Sequence, residues 1–362
     1  MPVTLIARLF NFNSTITFVT ACLAIIPLAA VIGNATEQLS NYASPKISGL
    51  LNATMSNIPE LSIGLFSVKA GLYNLVLASM AGSIIGNILL VLGVSIFAGG
   101  IKYKYQYFSK ANARSNFLLL CFAAASIIIP FTFKHATAGH PNQSGAIACM
   151  GFGLCILMVS LYIMGLIFSL ITHKNIFTQH DEKDTAAEDE SSLEAGADSS
   201  SDKIEAGVNT AFVIRRCILT LITAAIFVSL CSEILVSTVE QVIKSTGMTE
   251  LFIGIILLPI LGNVSENASA VIMAVKNKVD VSVEIAIGSS MQISLFVAPV
   301  LVLCSYLTGS PMQYIYNTFE IVAIIIGIVM SLYIFQDGKT SWLEGVLLIA
   351  TYLAFALAFF FL

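Results

Sequence analysis

Ten apolar runs, each about as long as a bilayer is thick, follow one another along this 362-residue chain. Roughly 20 apolar residues cross the ~30 Å hydrocarbon core as a helix, and a chain built mostly of such runs has to satisfy its backbone inside lipid. The runs occupy approximately 14–42, 46–70, 72–100, 115–133, 144–172, 208–240, 250–276, 279–307, 314–335 and 341–361. With 57% apolar residues, 10% charged residues and a mean hydropathy of +0.89, the soluble globular classes are excluded. The expected fold is an all-α integral membrane protein of about ten helices, with the lipid bilayer as its first partner.

Charge divides the chain in two. Ten of the 21 acidic residues lie between Asp181 and Glu205, against two lysines in that stretch. This polar segment, 173–207, separates a first group of five helices (1–172) from a second (208–362). When loops are assigned alternately to two sides, one side holds Arg8, Lys69, Lys134 and Lys244, and the other holds the remaining 13 of 17 basic residues. The positive-inside rule makes the second side cytoplasmic, and the acidic linker with it. An odd helix number per half turns the second half over relative to the first, the inverted-repeat plan of many secondary transporters. The N-terminus then starts outside, with no evident signal peptide in its first residues, which leads us to expect that an upstream helix is missing or dispensed with.

Each half carries one N-x-x-E motif in mid-span: Asn57-Ile-Pro-Glu60 and Asn263-Val-Ser-Glu266. Asparagine and glutamate three apart share a helical face, so each half offers an amide oxygen and a carboxylate at one depth. Pro59, and the pair Pro259 and Gly262, are expected to break the helix there and free backbone carbonyls. A carboxylate at the bilayer centre costs at least roughly 3 kcal/mol and needs a proton or a cation as partner. No lysine or arginine adjoins either motif, and all four histidines lie outside the spans. Desolvation favours a neutral carboxyl, so Glu60 and Glu266 tend to hold protons until a cation displaces them. Such competition suffices for antiport if the site opens to one side at a time. Hard oxygen ligands from both halves suit Ca²⁺, which takes six to eight of them.

The helix after each motif is punctuated by polar residues: Ser83 and Asn87 in one half, Ser289 and Gln292 in the other. Glu60 to Asn87 is 27 residues and Glu266 to Gln292 is 26, so all four residues are expected to line the same cavity. The serines also fit close helix crossings without any ligand role. Glu37 and Glu233, in the first span of each half, are candidates for a proton pathway, a vestibule or a helix-end role.

At these residues the sequence resembles the cation/proton exchangers of the calcium/cation antiporter superfamily, especially its fungal vacuolar and bacterial calcium/proton exchangers. The resemblance runs from Ile25-Ile-Pro-Leu-Ala-Ala and Gly33-Asn-Ala-Thr-Glu, through Gly49-Leu-Leu-Asn-Ala-Thr, to Lys276-Asn-Lys and Gly288-Ser-Ser-Met-Gln-Ile. It implies two inverted five-helix repeats, the first helix of the usual eleven being absent here. It also implies Ca²⁺ bound by Glu60 and Glu266 with Asn57 and Asn263 beside them, and exchanged for H⁺. The segment 181–205 looks like the family's acidic helix, to which regulatory Ca²⁺ binding is attributed, while its serine-rich composition is equally that of a solvated linker. Two departures adjoin the site: Ser56 precedes Asn57 where glycine is usual, and Asn267 follows Glu266 where histidine is common.

The resemblance implies a transporter, not an enzyme, with no resident cofactor and no nucleic-acid partner. A sodium-coupled or broader divalent exchanger that takes Mn²⁺ stays open, with Thr54, Ser265 and Ser289 as possible sodium ligands. An intramembrane metal-dependent enzyme would need clustered D-x-x-D motifs beside basic phosphate-binding residues, and the sequence has none. A vacuolar membrane fits the fungal branch, and a bacterial plasma membrane suits the same physics.

Overall fold

The computed structural model describes residues 1–10, 12–43, 47–48, 51, 54–108, 110–139, 141–168, 202–309 and 311–362, with backbone alone for 110–116 and 202–211. The expected acidic linker falls almost wholly outside these residues.

The described chain is helical almost throughout. A short α1 (Pro2–Leu9) precedes α2 (Ser14–Ser40), α3 (Ile58–Lys69), α4 (Tyr73–Lys102), α5 (Lys110–Ala136) and α6 (Gln143–Ile167). The second half holds α7 (Asp202–Thr246), α8 (Glu250–Gly262), α9 (Val264–Val275), α10 (Val279–Leu307), α11 (Thr318–Ile334) and α12 (Trp342–Phe361). Among the described residues, seven helices are long and apolar enough to cross a membrane, and the pair α8 and α9, bent by 65°, counts as an eighth when taken as one broken span. Of the other two expected runs, that of α11 holds a 17-residue helix, and that of α3 holds a 12-residue helix preceded by positions that lie partly outside the described residues.

The element order repeats. Each half has a long helix (α2, α7), a broken helix carrying the motif (α3; α8 and α9), a long helix with a π-helical turn (α4, α10), and two further helices. Burial distinguishes these roles. In α4 and α10, 67% of the apolar window is buried, against 22% in α6 and α12, so the third helix of each half forms the centre and the last forms the rim. That explains the polar punctuation of α4 and α10: their side chains face protein, where hydrogen-bond partners exist, instead of lipid.

One face is tied together by polar contacts. Strands β1 (Gln106–Tyr107) and β2 (Lys339–Thr340) pair antiparallel. Gln106 Nε2 donates to Ala274 O at 2.7 Å and to Asn277 Oδ1 at 3.3 Å, and Lys102 Nζ donates to Val275 O. Asn277, with φ 62°, sits just past the end of α9 in the left-handed conformation that asparagine tolerates after a helix. The loops after α4, α9 and α11 therefore share one face, the arrangement that alternating sides require of them.

Candidate cation site between the two halves

Proline and glycine set the two breaks. In the first half the chain turns at Ser56 and Asn57, and α3 starts at Ile58 with Pro59 in its first turn, where its missing N–H is not needed. In the second, α8 carries Pro259 and ends at Gly262 before Asn263 opens α9. The two asparagines adopt nearly the same backbone, φ −89° and ψ 8° at Asn57 against φ −97° and ψ 14° at Asn263. Both thus stand at the helix N-cap, not on the helical face that the i, i+3 spacing leads one to expect. Neither side chain caps its own helix.

The amides reach into the opposite half instead. Asn57 Nδ2 donates to Gln292 Oε1 at 2.7 Å. Asn263 Nδ2 donates to Ser83 Oγ at 3.3 Å and to Pro259 O at 3.2 Å. Between the central helices, Asn87 Nδ2 donates to Ser289 Oγ at 3.0 Å. Asn57, Asn263, Ser83, Asn87 and Ser289 are all buried. This closeness depends on glycine: a Cβ on Gly82 would lie 2.2 Å from Ile255 O, and one on Gly254 would lie 2.6 Å from Ala78 Cβ. With no side chains at these points, the backbones of α4 and α8 touch, and Ser83 comes beside Asn263. The π-helical turns Gly86–Val91 of α4 and Ile293–Val297 of α10 begin next to the site, an irregularity common at functional positions.

Glu60 and Glu266 occupy the first turns of α3 and α9, at the positive ends of two helix dipoles. They lie within electrostatic reach of each other. Glu60 is 3% exposed and its carboxylate rests against Gly262 of the other half, where a Cβ would sit 2.5 Å from Oε1. Glu266 is partly exposed, with the hydroxyls of Ser289 and Ser56 beside it. Both carboxylate oxygens of Glu60 and Oε2 of Glu266 are buried and accept no hydrogen bond. Buried acceptors are nearly always satisfied, so three such oxygens in one place are owed protons or a cation. Among the described residues no three His, Cys, Asp or Glu side chains come together. Beyond the two carboxylates, any ligands here are amide, hydroxyl or backbone oxygens, a set suited to a hard cation and ill suited to zinc or copper.

The eight residues read from the sequence as site candidates thus converge through cross-half contacts. Glu37 and Glu233 do not join them; both are exposed on α2 and α7. Ser56 was not among the site candidates. The signal for it was its place immediately before the motif asparagine, where the other half has Gly262.

Buried acids at facing helix breaks, one from each of two repeated halves, are the construction of a membrane cation transporter. Its family follows from the sequence as a whole: the chain belongs to the sodium/calcium exchanger protein family, which matches residues 13–171 and 217–361. It is 41% identical over 363 residues to the Ca²⁺/H⁺ antiporter ChaA of Bacillus subtilis, covering 100% of this chain and 97% of that protein. It is 33% identical to the vacuolar calcium ion transporter of Schizosaccharomyces pombe, covering 100% and 83% respectively. The solved structure of native YfkE superposes with a TM-score of 0.81 at 38% identity, over 100% of this chain and 97% of that one.

Proposed function

We propose that the protein is a secondary antiporter that exchanges Ca²⁺ for H⁺ across a membrane, with Glu60 and Glu266 binding the cation or protons in competition. The observation that carries this reading is the set of buried, donorless carboxylate oxygens contributed by one glutamate from each half. Ionised, the pair offers two negative charges to a divalent ion; protonated, it can rest in the same dry surroundings without one. Asn57, Asn263, Ser83, Asn87, Ser289 and Gln292 supply the neutral oxygens and hold the acids in register. The names of the relatives, antiporters of Ca²⁺ and H⁺ among them, support the choice of ions. The shared face of the loops after α4, α9 and α11, rich in lysine, supports placing that face in the cytoplasm.

The test is Ca²⁺ uptake into sealed vesicles under an imposed proton gradient, for the wild type and for Glu60→Gln and Glu266→Gln. Each substitution keeps the shape and removes the charge, and each is expected to reduce uptake to that of protein-free vesicles while the protein still reaches the membrane. Proton-driven uptake retained in both variants would overturn the site. Uptake driven by a sodium gradient but not by a proton gradient would replace the coupling ion, and Mn²⁺ competing as well as Ca²⁺ would widen the substrate. Because protons and Ca²⁺ compete, the apparent Ca²⁺ affinity of the wild type rises as pH rises.

A further inference from the structure

Away from the cation site, α2 and α7 enclose a crevice of about 600 Å³ on their lipid-facing side. Leu28 and Val31 of α2 and Leu219 and Phe227 of α7 line its length, and Arg215 and Arg216 stand at one end. Cys217 Sγ contacts Gln38 Oε1, which places the two arginines level with the last turn of α2, near Ser40. From Arg216 to Phe227 the helix rises about 16 Å at ~1.5 Å per residue. That is about half of the ~30 Å hydrocarbon core, the depth of one leaflet. Among the described residues neither guanidinium forms an ion pair, although Glu37 lies at a similar depth on α2.

We infer that this crevice holds an anionic phospholipid, its phosphate on Arg215 and Arg216 and an acyl chain along the wall that ends at Phe227. Guanidinium forks match phosphate oxygens, and basic groups at the mouth of an apolar cleft between membrane helices are a recurrent anionic headgroup site. Inorganic phosphate would satisfy the arginines and leave the apolar length uncovered. A peptide from the acidic segment would have to lay unpaired backbone groups against that same apolar wall.

Trp342 is the only tryptophan, so a Phe227→Trp, Trp342→Phe chain carries one reporter in the crevice. The full-length protein in phosphatidylcholine vesicles would be titrated with phosphatidylglycerol or phosphatidylcholine brominated on the acyl chains. Tryptophan quenching is expected at mole fractions roughly 30-fold lower for phosphatidylglycerol, on the order of fivefold per cation. Arg215→Gln with Arg216→Gln should erase that preference, whereas the double lysine variant, which keeps the charge, should retain most of it and guards against misfolding. Equal quenching by the two lipids, or a preference that survives the glutamine pair, would each refute the assignment. A preference seen only after deletion of residues 181–200 would refute it too, since the acidic segment would then be the native occupant.

Discussion

Glu60 and Glu266 hold equivalent places in the two halves, yet their surroundings differ. Glu60 is nearly sealed, its carboxylate against a glycine and both oxygens without a donor. Glu266 is partly exposed, with two serine hydroxyls beside it and only Oε2 left donorless. The residue before each motif asparagine contributes to the difference. Gly262 makes room for Glu60 across the interface, while Ser56 offers a hydroxyl to Glu266. Each acid is thus shaped by the opposite half, so a repeat that is symmetric in backbone gives an asymmetric site. Glu60 is the more enclosed of the two acids.

The comparison breaks most readily at Gly262. In Gly262→Ala the new Cβ would fall 2.5 Å from Glu60 Oε1, and the atom in the way is the far end of a flexible side chain. The carboxylate moves, the fold stays, and one charged ligand leaves its place. At roughly 1.5–3 kcal/mol for a charge-assisted contact, the KM for Ca²⁺ should rise about 10- to 100-fold in vesicle uptake with little change in expression or Tm. A large drop in Tm would show that Gly262 serves helix packing and not the acid.

The serines offer a finer contrast, because Ser83 and Ser289 both stand 23 residues after the glutamate of their half. Ser289 accepts from Asn87 and adjoins Glu266, so Ser289→Ala removes a partner of a charged group. Ser83 accepts from Asn263, whose amide also bonds Pro259 O and keeps that contact when Ser83 becomes alanine. KM for Ca²⁺ should therefore rise on the order of tenfold in Ser289→Ala and about threefold in Ser83→Ala. Equal effects would mean that the halves behave as a symmetric pair.

Sequence reading reached the helical class and the glutamate pair because both leave local marks: apolar length, and an acid with no cationic neighbour in mid-span. The near-equal spacing also picks out Asn87 and Gln292, both of which hydrogen-bond across the two halves. The pairing itself was out of reach. That Asn263 bonds Ser83 depends on how closely α4 and α8 approach, and that is set by Gly82 and Gly254, which in the sequence look like any other small residues. The i, i+3 spacing puts the asparagines on a helical face only where the helix is unbroken, and both helices restart at these residues. Polarity within a run does not say which face of the helix it occupies, and Glu37 and Glu233, candidates for a proton pathway, a vestibule or a helix-end role, are exposed on α2 and α7.

The smallest expected effect tests the origin of the asymmetry most directly. Ser56→Gly gives both motifs the same preceding residue and creates no clash, since it only removes atoms at a turn that already precedes α3. It takes one hydroxyl from beside Glu266 and the weak contact of Asn57 Nδ2 with Ser56 Oγ at 3.5 Å. A donor to a carboxylate favours its ionised form, so losing it strengthens the proton against Ca²⁺. The apparent Ca²⁺ affinity should fall about threefold, with a larger loss at acidic than at alkaline pH, where protons no longer compete. A loss that does not vary with pH would mean that Ser56 holds the loop and leaves the acid alone; the difference between the two glutamates would then rest on Gly262 and Ser289.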